Sequence, residues 1–186
     1  MNVTPLAIPD VLMLEPRRFG DERGFFSEVY NERVFADAGL DYDWVQDNHA
    51  RSTDTYVLRG LHFQAPPHAQ AKLIRVAQGS IFDVVVDLRA GSPSFGQSVA
   101  ATLSAAAWNQ LFVPAGFAHG YLTLEPFTEV LYKVDDYYAP DCERGVVWND
   151  PDLAIDWPLN GHAPILSDKD QCLPRLKDLK TPFRYG

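Results

Sequence analysis

The sequence is poor in cysteine, in helix signals, in basic charge and in long apolar runs, and each shortage excludes something. Its two cysteines, Cys142 and Cys172, have neither metal-ligand spacing nor the numbers for a disulfide framework. A reducing, cytoplasmic setting is therefore expected. No apolar run approaches the length of a bilayer span, so no membrane partner is expected. The N-terminal Met1-Asn-Val-Thr-Pro-Leu-Ala-Ile8 carries no basic residue ahead of its apolar part, unlike a secretory leader. Lys and Arg number 16 against 25 Asp and Glu, a formal charge of −9. Such a surface repels nucleic acid and anionic membranes. An anionic ligand would need a local cluster of Arg and Lys against that background. Linker-like segments and internal repeats are also missing.

What remains is a globular chain of 186 residues, 46% of them hydrophobic. That fits one domain over residues 1–186 with a sizeable core. Short apolar segments read as strands: Leu73 to Val76, Ile81 to Leu88, Val99 to Leu103, Gln110 to Val113, Ala118 to Leu124 and Glu129 to Val134. Turn chemistry separates them, as in Ala77-Gln-Gly-Ser80 and Pro114-Ala-Gly116. Leu58 to Gln64 also reads as a strand. This spacing predicts an all-β sandwich or barrel. Two short helices are expected: Asn31 to Gly39, capped by Asn31, and one opened by Ser167-Asp-Lys-Asp170. Leu173 to Gly186 alternates Pro with charge and reads as an extended tail on the body or on a partner.

Polar groups inside the apolar strands raise the functional question, since such groups are costly unless paired or solvated. Arg59 and His62 lie in one strand, Lys72 and Arg75 in or beside another. In Ile81 to Arg89 a period of two puts Asp83, Val85 and Asp87 on one face and Phe82, Val84, Val86 and Leu88 on the other. The second face is core. The first faces either a ligand cavity or solvent, and parity alone leaves both open.

Pro114-Ala-Gly-Phe-Ala-His119 resembles the second motif of the cupin superfamily, a double-sheet jelly roll. Metal-binding cupins place two histidines in their first motif, but Phe63-Gln64 follows His62 here. His62 and His119 fall short of the ligand set a transition metal wants. A metal-free site is the expectation. A His, a Lys and a Tyr can then abstract a proton beside a carbonyl. Imidazole serves as base, ammonium stabilises the enolate, and a phenol returns a proton. Removal from one face and delivery to the other inverts the carbon without a cofactor.

The motifs in order carry a closer resemblance. They include Phe19-Gly-Asp-Glu-Arg-Gly-Phe-Phe26, Val45-Gln-Asp-Asn-His49, Leu58-Arg-Gly-Leu-His-Phe-Gln64, Gly91-Ser-Pro-Ser-Phe-Gly96, Leu131-Tyr-Lys133, Tyr137-Tyr138, Trp148-Asn-Asp-Pro151 and Leu166-Ser-Asp-Lys-Asp170. Nearly end to end, the chain resembles the dTDP-4-dehydrorhamnose 3,5-epimerase family. The resemblance implies a cupin-type double-sheet jelly roll with a few short helices. It implies His62 as base, oriented by Asp170, with Tyr132 as acid and Lys72 at the keto oxygen. Arg23, Arg59, His119 and Lys169 would meet the diphosphate and sugar. Glu28, Gln46, Asp47, Asn48 and Glu143 would help form the site, with Tyr138 stacked on thymine. Arg suits the diphosphate because its planar fork pairs phosphate oxygens bidentately. A homodimer is also implied, with an N-terminal strand contributed to the partner, and Arg23 and Glu28 could reach the neighbour's pocket.

Each residue has a plainer reading. His62 could be a hydrogen-bonded core histidine, and Tyr132 plain core with its hydroxyl at the surface. Asp170 could serve only the Ser167 cap, and Lys72 could be an edge-strand charge. Asp83 could be a second carboxylate near the base. Arg75, His49, His68 and His162 read as structural or surface groups. The functional expectation is 3,5-epimerisation of dTDP-4-dehydro-6-deoxy-D-glucose toward dTDP-4-dehydro-L-rhamnose. The alternatives are a single-carbon epimerase of a related sugar, a metal-dependent cupin enzyme and a non-catalytic sugar-nucleotide binding module.

Overall fold

A computed structural model describes every residue from Met1 to Gly186. Two antiparallel sheets face each other. The first has six strands in the order β1 (Asn2–Pro5), β2 (Leu12–Glu15), β10 (Gln110–Val113), β7 (Lys72–Gln78), β12 (Thr128–Val134) and β5 (Gln46–Ser52). The second has five: β13 (Glu143–Gly145), β6 (Leu58–Gln64), β11 (Phe117–Thr123), β8 (Ser80–Asp87) and β9 (Ser98–Ser104). Strands β3 (Arg18–Asp21) and β4 (Gly24–Ser27) form a separate, largely exposed hairpin. This is the expected jelly roll. The two short helices are α1 (Glu32–Asp37) and α2 (Asp168–Gln171). Their N-caps are the expected ones: Asn31 accepts from the Arg33 and Val34 N–H groups, and Ser167 from that of Asp170. No helix is long and apolar enough to cross a membrane.

Three apolar layers hold these elements. Ile74, Val76, Ile81, Val85, Leu111 and Val130 pack between the sheets. Leu58, Leu61, Val84, Val86 and Leu122 face outward from the five-stranded sheet, where Trp157 and Phe183 cover them. Leu14, Phe35, Leu73 and Phe112 form the third layer, beneath α1. Each fully buried Val, Leu or Ile contributes roughly 1.5–3 kcal/mol, so these layers dominate stability. The tail packs on its own body. Ala90 bridges Arg184, and the Phe183 ring lies 5.6 Å from that of Phe63.

Several expectations change on folding. Strand β7 lies between β10 and β12, so Lys72 is not an edge charge. Strand β1 pairs with β2 of its own chain, Asn2 opposite Glu15 through Pro5 opposite Leu12, and is the edge strand of its sheet. Val3 there packs on the layer under α1, which ties the strand to its own sheet. Strand β5, Gln-Asp-Asn-His-Ala-Arg-Ser, has almost no apolar signal and is a strand because it pairs with β12 along its whole length.

Candidate active site

The site begins where β6 and β11 come unusually close. Gly60 has φ +108°, and a Cβ there would meet the His119 carbonyl oxygen at 2.7 Å. A Cβ on Gly120 would meet the Arg59 carbonyl oxygen at the same distance, 2.7 Å. Only glycine fits either position. The close approach sets His62 and His119 side by side as cross-strand partners, and the register slips just beyond them. In a regular strand Arg59 and His62, three apart, would face opposite ways. The irregularity at Gly60 turns both into the same pocket.

Each histidine is held by a buried aspartate. His62 Nε2 lies 2.5 Å from Asp170 Oδ1, and Ser167 Oγ donates to Asp170 Oδ2 at 2.9 Å. Asp170 is thus both the cap partner of Ser167 and the anchor of His62. Burial pushes its carboxyl upward, but the bonds from His62, Ser167 and the Gly60 N–H hold it below the usual range. His62 gives Nε2–H to this carboxylate, which leaves the Nδ1 lone pair to act as base. His119 Nε2 stands 2.9 Å from Asp83 Oδ1 and 3.0 Å from Oδ2. Asp83 therefore serves His119 rather than the base. Its strand face is neither open to solvent nor part of the cavity lining: Asp83, Val85 and Asp87 are all fully buried between the sheets, and Asp83 reaches the cavity only through His119.

The six-stranded sheet supplies the opposite wall. Lys72 Nζ reaches the His62 carbonyl at 3.4 Å. Burial lowers its ammonium from 10.5 to about 8, against the attraction of Asp83 and Glu143. Burial also raises the Tyr132 phenol, which Arg59 partly offsets, so Tyr132 keeps its proton and can donate it. Tyr121 joins the floor. Together with Arg59, His119, Asp170 and the segment Ile165 to Ser167, these residues line a cavity of about 470 Å³. That volume suits a small-molecule ligand. Lys169 lines it too and pairs with Glu143. Tyr138 donates to Glu143 Oε2 at 2.8 Å with its ring largely exposed, and its N–H donates to Gln46 Oε1 at 3.1 Å. Gln46 in turn donates to Asn48 at 2.9 Å. Burial raises the Glu143 carboxyl, but Lys169 and Tyr138 bring it below its ordinary value.

Of the other expected residues, Gln46, Asn48, Tyr138 and Glu143 do not line this pocket but connect to it through Lys169, while Asp47, Arg23 and Glu28 lie apart from it. Asp47 points to the outer face of β5, bonded to Lys133 at 2.8 Å, because neighbours on a strand alternate. Arg23 sits in the exposed β3–β4 turn, paired with Asp21 at 2.5 Å. Glu28 follows that hairpin and also lies outside. His49, His68 and His162 are away from the cavity, on Glu129, Asp136 and the Tyr56 ring respectively. Tyr121 escaped the sequence reading, although it stands two residues after His119 on one strand and hence on the same face. No three His, Cys, Asp or Glu side chains are grouped to hold a metal ion.

A carboxylate-held imidazole on one sheet, a phenol on the other and an ammonium beside them can move a proton off and onto a carbon next to a carbonyl. In a jelly roll with a cationic, tyrosine-rimmed cavity, this arrangement defines the class of sugar-nucleotide epimerases. The dTDP-4-dehydrorhamnose 3,5-epimerase family matches residues 5–178, and the chain belongs to it. It is 56% identical over 172 residues to the dTDP-4-dehydrorhamnose 3,5-epimerase of Pseudomonas aeruginosa, covering 92% of this chain and 93% of that one. The Bacillus anthracis enzyme of the same name, crystallised with TDP and PPi, is 53% identical with a TM-score of 0.90, covering 94% and 98%. The Legionella pneumophila dTDP-6-deoxy-D-glucose-3,5-epimerase, solved with dTDP-4-keto-L-rhamnose, is 41% identical with a TM-score of 0.95, covering 100% and 98%.

Proposed function

We propose that this chain epimerises dTDP-4-dehydro-6-deoxy-D-glucose at C3 and C5, giving dTDP-4-dehydro-L-rhamnose for dTDP-L-rhamnose biosynthesis. The observation that carries the reading is the opposition of His62, on the five-stranded sheet, to Tyr132, on the six-stranded sheet, with Lys72 in the same cavity. His62 Nδ1 takes the proton from the carbon beside the ketone. The C–H electron pair moves into the enolate, whose oxygen the Lys72 ammonium stabilises. Tyr132 then delivers a proton to the other face, and both groups re-equilibrate with water. C3 and C5 flank the C4 carbonyl, which is why one base can serve both. Arg59, His119 and Lys169 supply positive charge and donors for the diphosphate and sugar. Gln46, Asn48 and Glu143 hold the Tyr138 ring where thymine can stack.

Arg23 and Glu28 fit this scheme in a homodimer, where the exposed β3–β4 hairpin would carry them toward the neighbour's pocket. Exposed Phe19, Phe25 and Phe26 on that hairpin support this, since clustered apolar surface marks an interface. The unpaired thiols of Cys142 and Cys172 suit a cytoplasmic setting. Sedimentation should give twice the chain mass. A fully active monomer would remove the dimer from the scheme.

The test of the reaction is incubation with the 4-keto substrate in D2O. Deuterium at both C3 and C5 of an L-configured product is expected. Deuterium at one carbon alone would make the chain a single-carbon epimerase. A bound ligand with no exchange would make it a binding module.

A further inference from the structure

Tyr121 poses a problem that the scheme above does not absorb. It stands on β11 with its ring on the inner face, two residues beyond His119, and lines the same cavity. It is only 5% exposed. Its hydroxyl is buried and finds no hydrogen-bond partner in the protein. Buried hydroxyls are normally paired, because leaving one unmatched forfeits its hydration for nothing. A position that only packed would take phenylalanine at no such cost. Phe117, on the same face of the same strand and in the same apolar layer, lies under the Arg89 guanidinium and does not line the cavity. Of these two rings in one layer, only the one that reaches the cavity carries a hydroxyl.

The surroundings say what would satisfy it. Tyr121 is the cross-strand partner of Arg59 on one side and Asp83 on the other. Arg59, Tyr132 and Asp83 are the ionisable groups that act on its phenol, and burial pushes its ionisation well above the ordinary range. The group is therefore a donor at neutral pH, beside the His62, Lys72 and Tyr132 side chains. Tyr138 and Gln46, by contrast, do not line the cavity.

We infer that the Tyr121 hydroxyl donates a hydrogen bond to an oxygen of the hexose of the bound nucleotide sugar, making it a further sugar-recognition residue of the known reaction. The inference rests on the reading of the cavity as a dTDP-hexose site. The free protein carries the unmatched donor, and ligand binding supplies the acceptor.

Tyr121→Phe in the full chain separates this from a structural role, because the two move different quantities. Thermal midpoint without ligand, and calorimetric affinity for dTDP and for the non-reacting analogue dTDP-glucose, are the measurements. The expected result is a midpoint unchanged or raised and dTDP affinity unchanged. Affinity for dTDP-glucose should fall about three- to ten-fold, the worth of one neutral hydrogen bond, with KM rising in step. Wild-type affinity for dTDP-glucose in the variant would overturn the inference and leave Tyr121 as a packing group. Equal weakening toward dTDP and dTDP-glucose, or a lowered midpoint, would also overturn it. If the wild-type chain bound neither compound, the dTDP-hexose reading itself would fall, and the inference with it.

Discussion

Asp83 and Asp87 lie four residues apart on β8, share its inner face, and are both fully buried. Their partners could hardly differ more. Asp87 accepts from Arg89 Nη2 at 2.8 Å, Ser92 Oγ at 2.6 Å, Ser94 Oγ at 2.7 Å and the Arg89 N–H at 2.8 Å. Arg89 is itself shared with Asp10 and lies over the Phe117 ring. Asp83 has one partner, His119, which opens onto the cavity. The interior is therefore closed at one end by a saturated charge network and left reactive at the other. A buried carboxylate surrounded by donors locks structure. One given only a titratable partner is free to set the charge of a site.

The largest expected effect falls at the reactive end. His62→Ala should lower turnover by roughly a hundred- to ten-thousand-fold, the usual worth of a general base, far more than the modest loss of stability from removing one donor to buried Asp170 explains, since Ser167 and the Gly60 N–H remain. Wild-type-like turnover would mean that His62 is not the base. At the closed end the pattern reverses. Asp87→Ala leaves the largely buried Arg89 with only half-exposed Asp10 and takes the acceptor from Ser92 and Ser94, and should cost about 3–5 kcal/mol of stability, at about 2–4 °C of midpoint per kcal/mol for a chain of this size. The kcat/KM of the folded fraction should stay as it was. A variant that melted like wild type would show that the network only decorates that end.

Acid sharpens the contrast. Burial pushes the Asp87 carboxyl up, but its hydrogen bonds win and hold it at about 2, below the ordinary 3.8. A depressed carboxylate stabilises the fold above its unfolded value and loses that contribution as pH falls toward the folded one. About 2 kcal/mol should thus disappear between roughly pH 4 and pH 2. Acid denaturation of wild type against Asp87→Asn would reveal it, the variant showing a flatter acid limb.

Lys72 supplies the alkaline counterpart. Its ammonium is the working form and is lost above about 8, so kcat/KM should fall as pH rises through that value. Asp83→Asn removes the negative charge that supports the ammonium. The alkaline limb should then begin at lower pH, with a smaller loss of stability than at Asp87. An unshifted limb would detach Lys72 from the profile. Smallest in stability and most selective in chemistry is Tyr132→Phe. It should retain deuterium exchange in recovered substrate while product formation drops, and normal epimerisation would assign the acid to another group.

Much of this was legible before folding. The α1 and α2 caps, the apolar strands of the sandwich and the family of motifs all follow from local chemistry. His62, Lys72, Tyr132 and Asp170 were singled out on those motifs, and the structure gathers all four around one cavity. What was not legible depends on how the strands alternate and pair. Asp47 was grouped with Gln46 and Asn48, yet alternation sends it to the other face. Arg59 and His62 reach one pocket only because Gly60 breaks the parity of β6. Strand β5 carries no apolar pattern and is held as a strand by its pairing with β12, with only Ala50 of its residues lining the cavity.

The sequence by itself determined the alternation of short apolar strands, the capped helices and the residue types of the chemistry, because these depend on neighbours a few positions apart. The motifs implied Asp170 for His62, but only the tertiary structure showed that pairing in place and gave Asp83 to His119. Asp170 lies 108 residues from His62, and Asp83 lies 36 from His119. Those pairings depend on how two sheets stack and where β6 and β11 touch at Gly60 and Gly120. Such contacts are made across space, and no local pattern in the chain encodes their distances.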